Sequence, residues 1–418
     1  MKQMISYQEA KTIVQEYGAN LSLKTQIVAV EDAIGLVCAE DIIAPINVQP
    51  FDNSAMDGFA VRRLDVQEAT QDVPVALTVC QVIAAGDAVP TQAIEARQCA
   101  EIMTGAPVPP FADAVVPVER VVKQGDGDKI LFVSGVTQGE NIRYAGEDFK
   151  TGEKIFSKGT RILPQHMMAL ATLGIARLLV FSPVQAMFLS TGNELVDDLS
   201  LDLKSGQIYN SNRPYGLAIL KQMGVVCHEV PKLPDDVDGF VTLLKNVMDQ
   251  GLDFVISSGA VSAGKFDFVR EGLEKIGAEI LFHKVKMKPG KPNLFARLPN
   301  GSLYFGLPGN PIATAAGLRF FVQPCLDAVF GLKTEDAIYA TANNGFKKRA
   351  GLQVFLKAKL HHGVDGQCSV DIMNGQQSFK TSPFVDMNAW AIAGELDEEI
   401  KPGDLIGVYP FYAGLSIV

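Results

Sequence analysis

The chain has 418 residues, 47% hydrophobic and 20% charged, with a formal net charge of -10. That length exceeds one ordinary core and predicts about two to four domains. The acidic balance excludes a nucleic-acid binder that works through its whole surface, because phosphate binding needs concentrated Lys and Arg.

The N-terminal run MKQMISYQEAKTIVQEYG is polar and helical in pattern. Ser6 opens a capping box with Glu9, and Ala10, Ile13, Val14 and Tyr17 follow at helical spacing. It holds no apolar signal core, and no apolar run in the chain reaches the ~18 residues that span a bilayer. The expectation is a cytoplasmic protein that meets neither membrane nor nucleic acid. Residues 1–44, joined later by 141–182, are expected to form a discontinuous helix-and-strand linker domain. From 45 to 140, short Val-rich runs (PVALTVCQVI, DAVVPVERVV, DKILFVSG) alternate with Gly, Pro and Asp, the texture of a small β-rich domain.

From 183 to 328 strands and helices alternate. VQAMFLS, VVCHEV, DFVISS and SLYFGL read as strands, and NRPYGLAILKQMG, DDVDGFVTLLKNVMDQG, FDFVREGLEKIG and PIATAAGLRFFVQPCL as helices. This order predicts a parallel α/β sheet with helices on both faces. Residues 329–418 return to short strands with turn signals, a second β-domain. The fold class is therefore α/β plus β, multidomain. The six cysteines form no CxxC and the five histidines no zinc spacing, so reduced thiols are expected and zinc catalysis is not.

Open α/β sheets bind ligands beyond the carboxyl ends of their strands. Three such ends carry polar, Gly-rich loops, at 190–194, 257–264 and 306–311. Glycines let backbone N–H groups approach an anion, and Asn310 with Pro311 reads as a helix start. None of the loops is a phosphate-binding GxxxxGK[ST], and Ser262 in GAVSAG sits one place too far from the first glycine for a nucleophile elbow. Four lysines, Lys284, Lys286, Lys288 and Lys291, fall together in this acidic chain. Alternation places the first three on one strand face, either a solvated face or an anion site. The run from Pro50 to Val61, rich in Asp, Asn, Ser and Gly, suits a buried, turn-rich loop. Asp148 and Glu194 are carboxylates of the kind that hold Mg²⁺ near phosphates.

Taken together, FDNSAMDGFAVR (51–62), EIMTGAPVP (101–109), GENIRYAGED (139–148), LSTGNEL (189–195), GQIYNSN (206–212), SSGAVSAGKFDF (257–268), KMKPGKP (286–292) and GLPGNP (306–311) resemble the MoeA family of molybdopterin molybdenumtransferases, which includes the enzymatic domain of gephyrin. The resemblance runs over nearly the whole chain, with the segments in the family's order. It implies an elongated four-domain homodimer with an active site between subunits. Its central domain would be similar to molybdopterin adenylyltransferases, and its C-terminal domain barrel-like. It also implies Mg²⁺-dependent insertion of molybdate into adenylylated molybdopterin, with release of AMP and molybdenum cofactor. The upstream adenylyltransferase and apo-molybdoenzymes become candidate partners. Carried over by position, Asp57, Thr104, Asp148, Glu194 and Asp267 match residues important for activity, with Glu194 and Asp267 as candidate Mg²⁺ ligands. Ser262, Lys288 and Lys291 match positions that handle oxyanion and phosphate. Pro308, Pro311 and Ser378 match the molybdate site.

The chain departs from the family pattern at three places. The common SGGVSVG[DE] reads SGAVSAGK, so Ala260 replaces a glycine and Lys265 an acid. The family's G-R-x-x-F-x-R reads Gly351-Leu-Gln-Val-Phe-Leu-Lys357; Leu352 cannot clamp an oxyanion, and Arg349 is a nearby substitute. A basic position before Gly146 is Tyr144 or Ala145. These changes motivate an alternative, a paralogue that carries molybdopterin or finished cofactor with little insertase activity.

Overall fold

A computed structural model describes residues 1–124, 128–228, 236–260, 268–364 and 366–411. At its centre lies a seven-stranded sheet in the order Lys2–Ile5, Glu279–Val285, Leu294–Arg297, Leu303–Leu307, Phe254–Ser258, Gln185–Ser190 and Val226–His228. The last four strands are parallel. Leu294–Arg297 runs antiparallel to both neighbours, because the short turn at 298–302 joins it to the next strand as a hairpin.

Strand side chains alternate between two covered faces. Ala186, Phe188, Phe254, Ile256, Leu303 and Phe305 pack with the helices Tyr7–Ala19, Asn212–Gln222 and Pro311–Val329. Met187, Leu189, Val255 and Tyr304 pack with Val237–Gln250 and Phe268–Lys275. Burial on both faces is why these strands read as continuous apolar runs. The helices stop where the sequence predicts: Gly251 takes a left-handed φ of 65° after Val237–Gln250, and Gly224 and Gly277 do the same for their helices. Pro311–Val329 is long and apolar enough to cross a membrane by length and composition, but most of it is buried in this core. Its middle, Leu318–Val322, is a π-turn. Pro324 lies just beyond and cannot donate the N–H that an α-turn would send to Phe320.

The N-terminus differs from its sequence assignment. Lys2–Ile5 is a strand, and it joins the edge of the central sheet parallel to Glu279–Val285. Ser6 caps the next helix, its hydroxyl accepting the Glu9 N–H at 3.1 Å. Tyr7, Ala10 and Val14 then pack into the α/β core beside Phe320, Phe321 and Cys325. The remainder of 1–44 and 141–182 forms a separate cluster. It is built from Thr25–Ala29 paired with Arg177–Phe181 and Ile42–Ile43 paired with Lys154–Phe156, around Cys38, Ile162, Leu170, Leu178 and Val180.

The β-rich domain holds a six-stranded sheet ordered Ala114–Pro117, Gly58–Val61, Gln98–Ile102, Val75–Ile83, Lys129–Phe132 and Val121–Gln124. In the C-terminal domain, Gln353–His362, Cys368–Ile372, Ile338–Ala342, Leu405–Pro410 and Ala389–Ala393 pair in sequence, and the last pairs back to the first to close a barrel. Met287–Lys288 adds a short parallel strand to Gln353–His362, tying the lysine segment to this barrel. No disulfide links the six cysteines.

Candidate functional site

The three Gly-rich strand ends meet. Strand Gln185–Ser190 delivers Thr191 and Gly192, strand Phe254–Ser258 delivers Gly259, and strand Leu303–Leu307 delivers Pro308 and Gly309. The Thr191 N–H donates to the Ser258 carbonyl at 3.0 Å and the Gly259 N–H to the Leu307 carbonyl at 2.9 Å, so the parallel ladder continues into the loops. A side chain at Gly259 would stand 2.6 Å from the Thr191 hydroxyl, so this approach requires glycine. The loops enclose a cleft of about 850 Å³, lined also by Glu194, Asn210, Asn212, Pro311 and the C-terminal domain's Phe379.

Glu194 is exposed at this cleft, and among the described residues no donor reaches its carboxylate. The carboxylate folds over Gly192: both its oxygens lie 2.8 Å from where a Cβ would stand on that residue. Asn212, 7% exposed, ties two loops together, its amide donating to the Gly309 carbonyl at 2.8 Å and the Ser258 hydroxyl at 3.3 Å. Asn310 occupies the cap position of Pro311–Gly317, but its side chain makes no capping bond. The Ile312 N–H is instead taken by the Ser378 carbonyl at 3.0 Å, which seats the C-terminal domain on this helix start.

The lysine segment alternates as predicted, with Val285 and Met287 buried between Lys284, Lys286 and Lys288. Lys286 is ion-paired with Glu395 at 3.1 Å. Lys288 and Lys291 are exposed, and Pro292 beside them lines the cleft.

Asp57 and Thr104 meet elsewhere, on the β-rich domain. Asn53 and Ser54 are buried and pair with Ile142–Arg143, while Asp57 points out. Its carboxylate accepts the Thr104 N–H at 2.7 Å and the Thr104 hydroxyl at 2.9 Å. These two bonds, the backbone one first, hold the Asp57 carboxyl below its ordinary pKa. Asp148 donates its N–H to the Val48 carbonyl at 2.8 Å and is exposed. None of the three lines the cleft of its own chain. Ser262, Lys265 and Asp267 lie outside the described residues. Among the described residues no three His, Cys, Asp or Glu side chains cluster as a metal cage.

Sequence reasoning overlooked Lys357. This side chain is 1% exposed, and its ammonium donates to the carbonyls of Gly375 at 2.5 Å, Gln377 at 3.2 Å and Lys380 at 3.0 Å. Burial, then the nearby Lys380, lowers its pKa. Lys357 therefore holds the loop that carries Ser378 and Phe379. The signal was its position as the second arginine of the family motif, where a cation persists. Leu352 leaves its carbonyl to the Lys348 ammonium at 2.9 Å, and Arg349 is exposed.

Comparison with known proteins matches residues 5–174 to the MoeA N-terminal region (domain I and II) and residues 187–328 to a probable molybdopterin binding domain. The chain is 34% identical to a molybdopterin molybdenumtransferase of Synechococcus elongatus, over 93% of this chain and 95% of that protein. It is 36% identical to the Bacillus subtilis protein of the same name, over 88% and 86%. The solved structure of a molybdopterin biosynthesis MoeA protein from Pyrococcus horikoshii covers 98% of this chain and superposes with a TM-score of 0.84 at 27% identity; the match takes in 100% of that structure.

Proposed function

We propose, from the premise that this chain belongs to the molybdopterin molybdenumtransferase family and inserts molybdenum in the biosynthesis of molybdenum cofactor, that it takes molybdate and adenylylated molybdopterin and releases AMP. The observation that carries this reading is the cleft at the strand ends. It offers backbone, amide and hydroxyl groups for a polyanionic ligand and places one carboxylate, Glu194, among them. Molybdate is a dianion and the adenylylated substrate carries a pyrophosphate. Gly-rich loops and the helix start at Pro311 suit such charge, with Lys288 and Lys291 as point charges at the rim.

The donor set fits Mg²⁺. A single carboxylate with substrate phosphate and water is the usual Mg²⁺ arrangement, and a full protein cage is not. Glu194, with Asp267, would hold the ion, which supplies Lewis-acid polarisation of the phosphoanhydride when bound. The chain's own residues do the rest by positioning. Asn212 fixes the distance between the two loops that face the ligand. Pro308, Pro311 and Ser378 shape the end where the oxyanion is received, and Ser262 with the lysines retains it. No covalent nucleophile is required.

The enzyme works as a homodimer in this reading. Asp57, Thr104 and Asp148 are exposed yet absent from their own chain's cleft, which supports a site completed by a second copy. The setting is the cytoplasm. The upstream adenylyltransferase supplies the substrate there, and apo-molybdoenzymes receive the product. Subunit mixing tests the composite site. Asp57→Asn and Glu194→Gln homodimers should each be inactive in AMP release. Their randomised mixture should regain about a quarter of wild-type activity, because two-fold symmetry leaves one intact site in each heterodimer. A mixture that stays inactive while subunits exchange rejects the shared site.

A further inference from the structure

Two aromatic side chains stand exposed on the cleft wall, Tyr209 at 41% and Phe379 at 64%. A third, Phe268, is only 5% exposed and packs edge-on against Phe240, so it belongs to the core. Tyr209 comes from the short ribbon in which Leu195–Val196 pairs with Ile208–Tyr209. Its ring is fixed at both ends: the backbone is held by strand pairing, and the hydroxyl donates to the Leu201 carbonyl at 2.8 Å. Phe379 comes from the C-terminal domain, on the loop held by the Lys357 ammonium and by the Ser378 carbonyl on Ile312. Each ring is thus placed by its own domain, and each leaves a face to the cleft.

We infer that Tyr209 and Phe379 are two stacking platforms, each for one planar heteroaromatic ring of the substrate. The inference rests on the reading that the cleft binds adenylylated molybdopterin, a molecule with a planar purine at one end and, at the other, a reduced pterin whose pyrimidine ring is planar. Aromatic faces accept any planar heterocycle without reading its edge. An exposed ring with restricted rotation loses little entropy on stacking. The phosphates that join the two heterocycles then fall to the Gly-rich loops of the same cleft.

The test measures binding without turnover, using AMP and a free pterin as separate probes on the full-length protein. Tyr209→Leu and Phe379→Leu keep apolar bulk and remove the ring. Each should weaken one probe about ten-fold and leave the other within about two-fold, the scale of single-base stacking on an aromatic. Tyr209→Phe keeps the ring and removes the hydroxyl anchor, and should stay within about three-fold of wild type. A ribbon-stapling role for Tyr209 would instead make Tyr209→Phe as damaging as Tyr209→Leu, and that result overturns the inference for it. Leucine variants that weaken both probes alike, or neither, overturn the two-platform assignment while leaving the insertase reading intact. Failure of the wild type to bind either probe would count against the substrate reading itself.

Discussion

Asp57 and Thr104, forty-seven positions apart, are joined by two hydrogen bonds to one carboxylate oxygen, from the Thr104 N–H at 2.7 Å and its hydroxyl at 2.9 Å. The pair holds the carboxyl below its ordinary value near 3.8. A depressed carboxyl stabilises the fold above that ordinary value, and the contribution is lost as pH falls through the depressed one. Thr104→Val removes the hydroxyl and leaves the backbone donor. The Asp57 titration followed by NMR should move upward, and acid unfolding should begin at slightly higher pH. A Thr104→Val titration identical to wild type would show that the hydroxyl does not hold the charge.

Asp57→Asn preserves an oxygen for Thr104 and removes the charge. Because the group is exposed, the melting temperature should stay within about 2 °C, as surface substitutions usually do. AMP release should fall at least ten-fold if the carboxylate meets the substrate. An unchanged rate would remove Asp57 from the site.

Gly192→Ala places a Cβ 2.8 Å from both oxygens of Glu194, at a residue whose φ is 142°. The side chain must swing away from the loop. The expected result is a several-fold higher Mg²⁺ concentration for half-maximal AMP release, together with a loss of about 1–3 kcal/mol of stability from the strained backbone. An unaltered Mg²⁺ dependence would separate Glu194 from the metal.

Ala260 holds a left-handed φ of 51° where the family pattern has glycine. The strain costs about 1–2 kcal/mol for a residue with a Cβ, and glycine adds about 0.4–1 kcal/mol of unfolded-state entropy. Ala260→Gly should therefore stabilise the chain by about 0.5–1 kcal/mol in urea unfolding. A destabilised variant would mean that the Ala260 methyl, which packs against the cluster that includes Leu189, Val255 and Tyr304, outweighs the strain.

Lys357→Met removes a buried ammonium and leaves the part-buried carbonyls of Gly375, Gln377 and Lys380 without that donor. A loss of about 1–3 kcal/mol is expected from the lost charge-assisted hydrogen bonds. Lys357→Arg should recover most of it. Equal damage by both would mean that the pocket tolerates only the lysine shape.

The parallel core was legible because its strands are buried on both faces and end in glycine, as Phe254–Ser258 does at Gly259. The N-terminal strand was not. Only Ile5 of Lys2–Ile5 is buried, so no alternation marks it, and only the edge of Glu279–Val285 makes it a strand. The hairpin strand Leu294–Arg297 was hidden for a similar reason, being short and preceded by the Pro-rich lysine segment. In the site, Glu194, Pro308 and Pro311 could be placed from strand-end logic. The meeting of Asp57 with Thr104 could not, because no local pattern encodes a contact between two loops of one sheet. Phe379 was equally invisible, since its position follows from Lys357 inside the barrel.

The most direct test of the account is AMP release by purified protein given adenylylated molybdopterin, with molybdate and Mg²⁺ present or omitted, beside Glu194→Gln and Asp267→Asn. The account predicts AMP only when both are present, cofactor that reconstitutes an apo-molybdoenzyme, and variants that bind substrate but release none. Substrate that binds while AMP never forms in the wild type would contradict it. The chain would then be a carrier, with Lys265 and Leu352 the residues to revert.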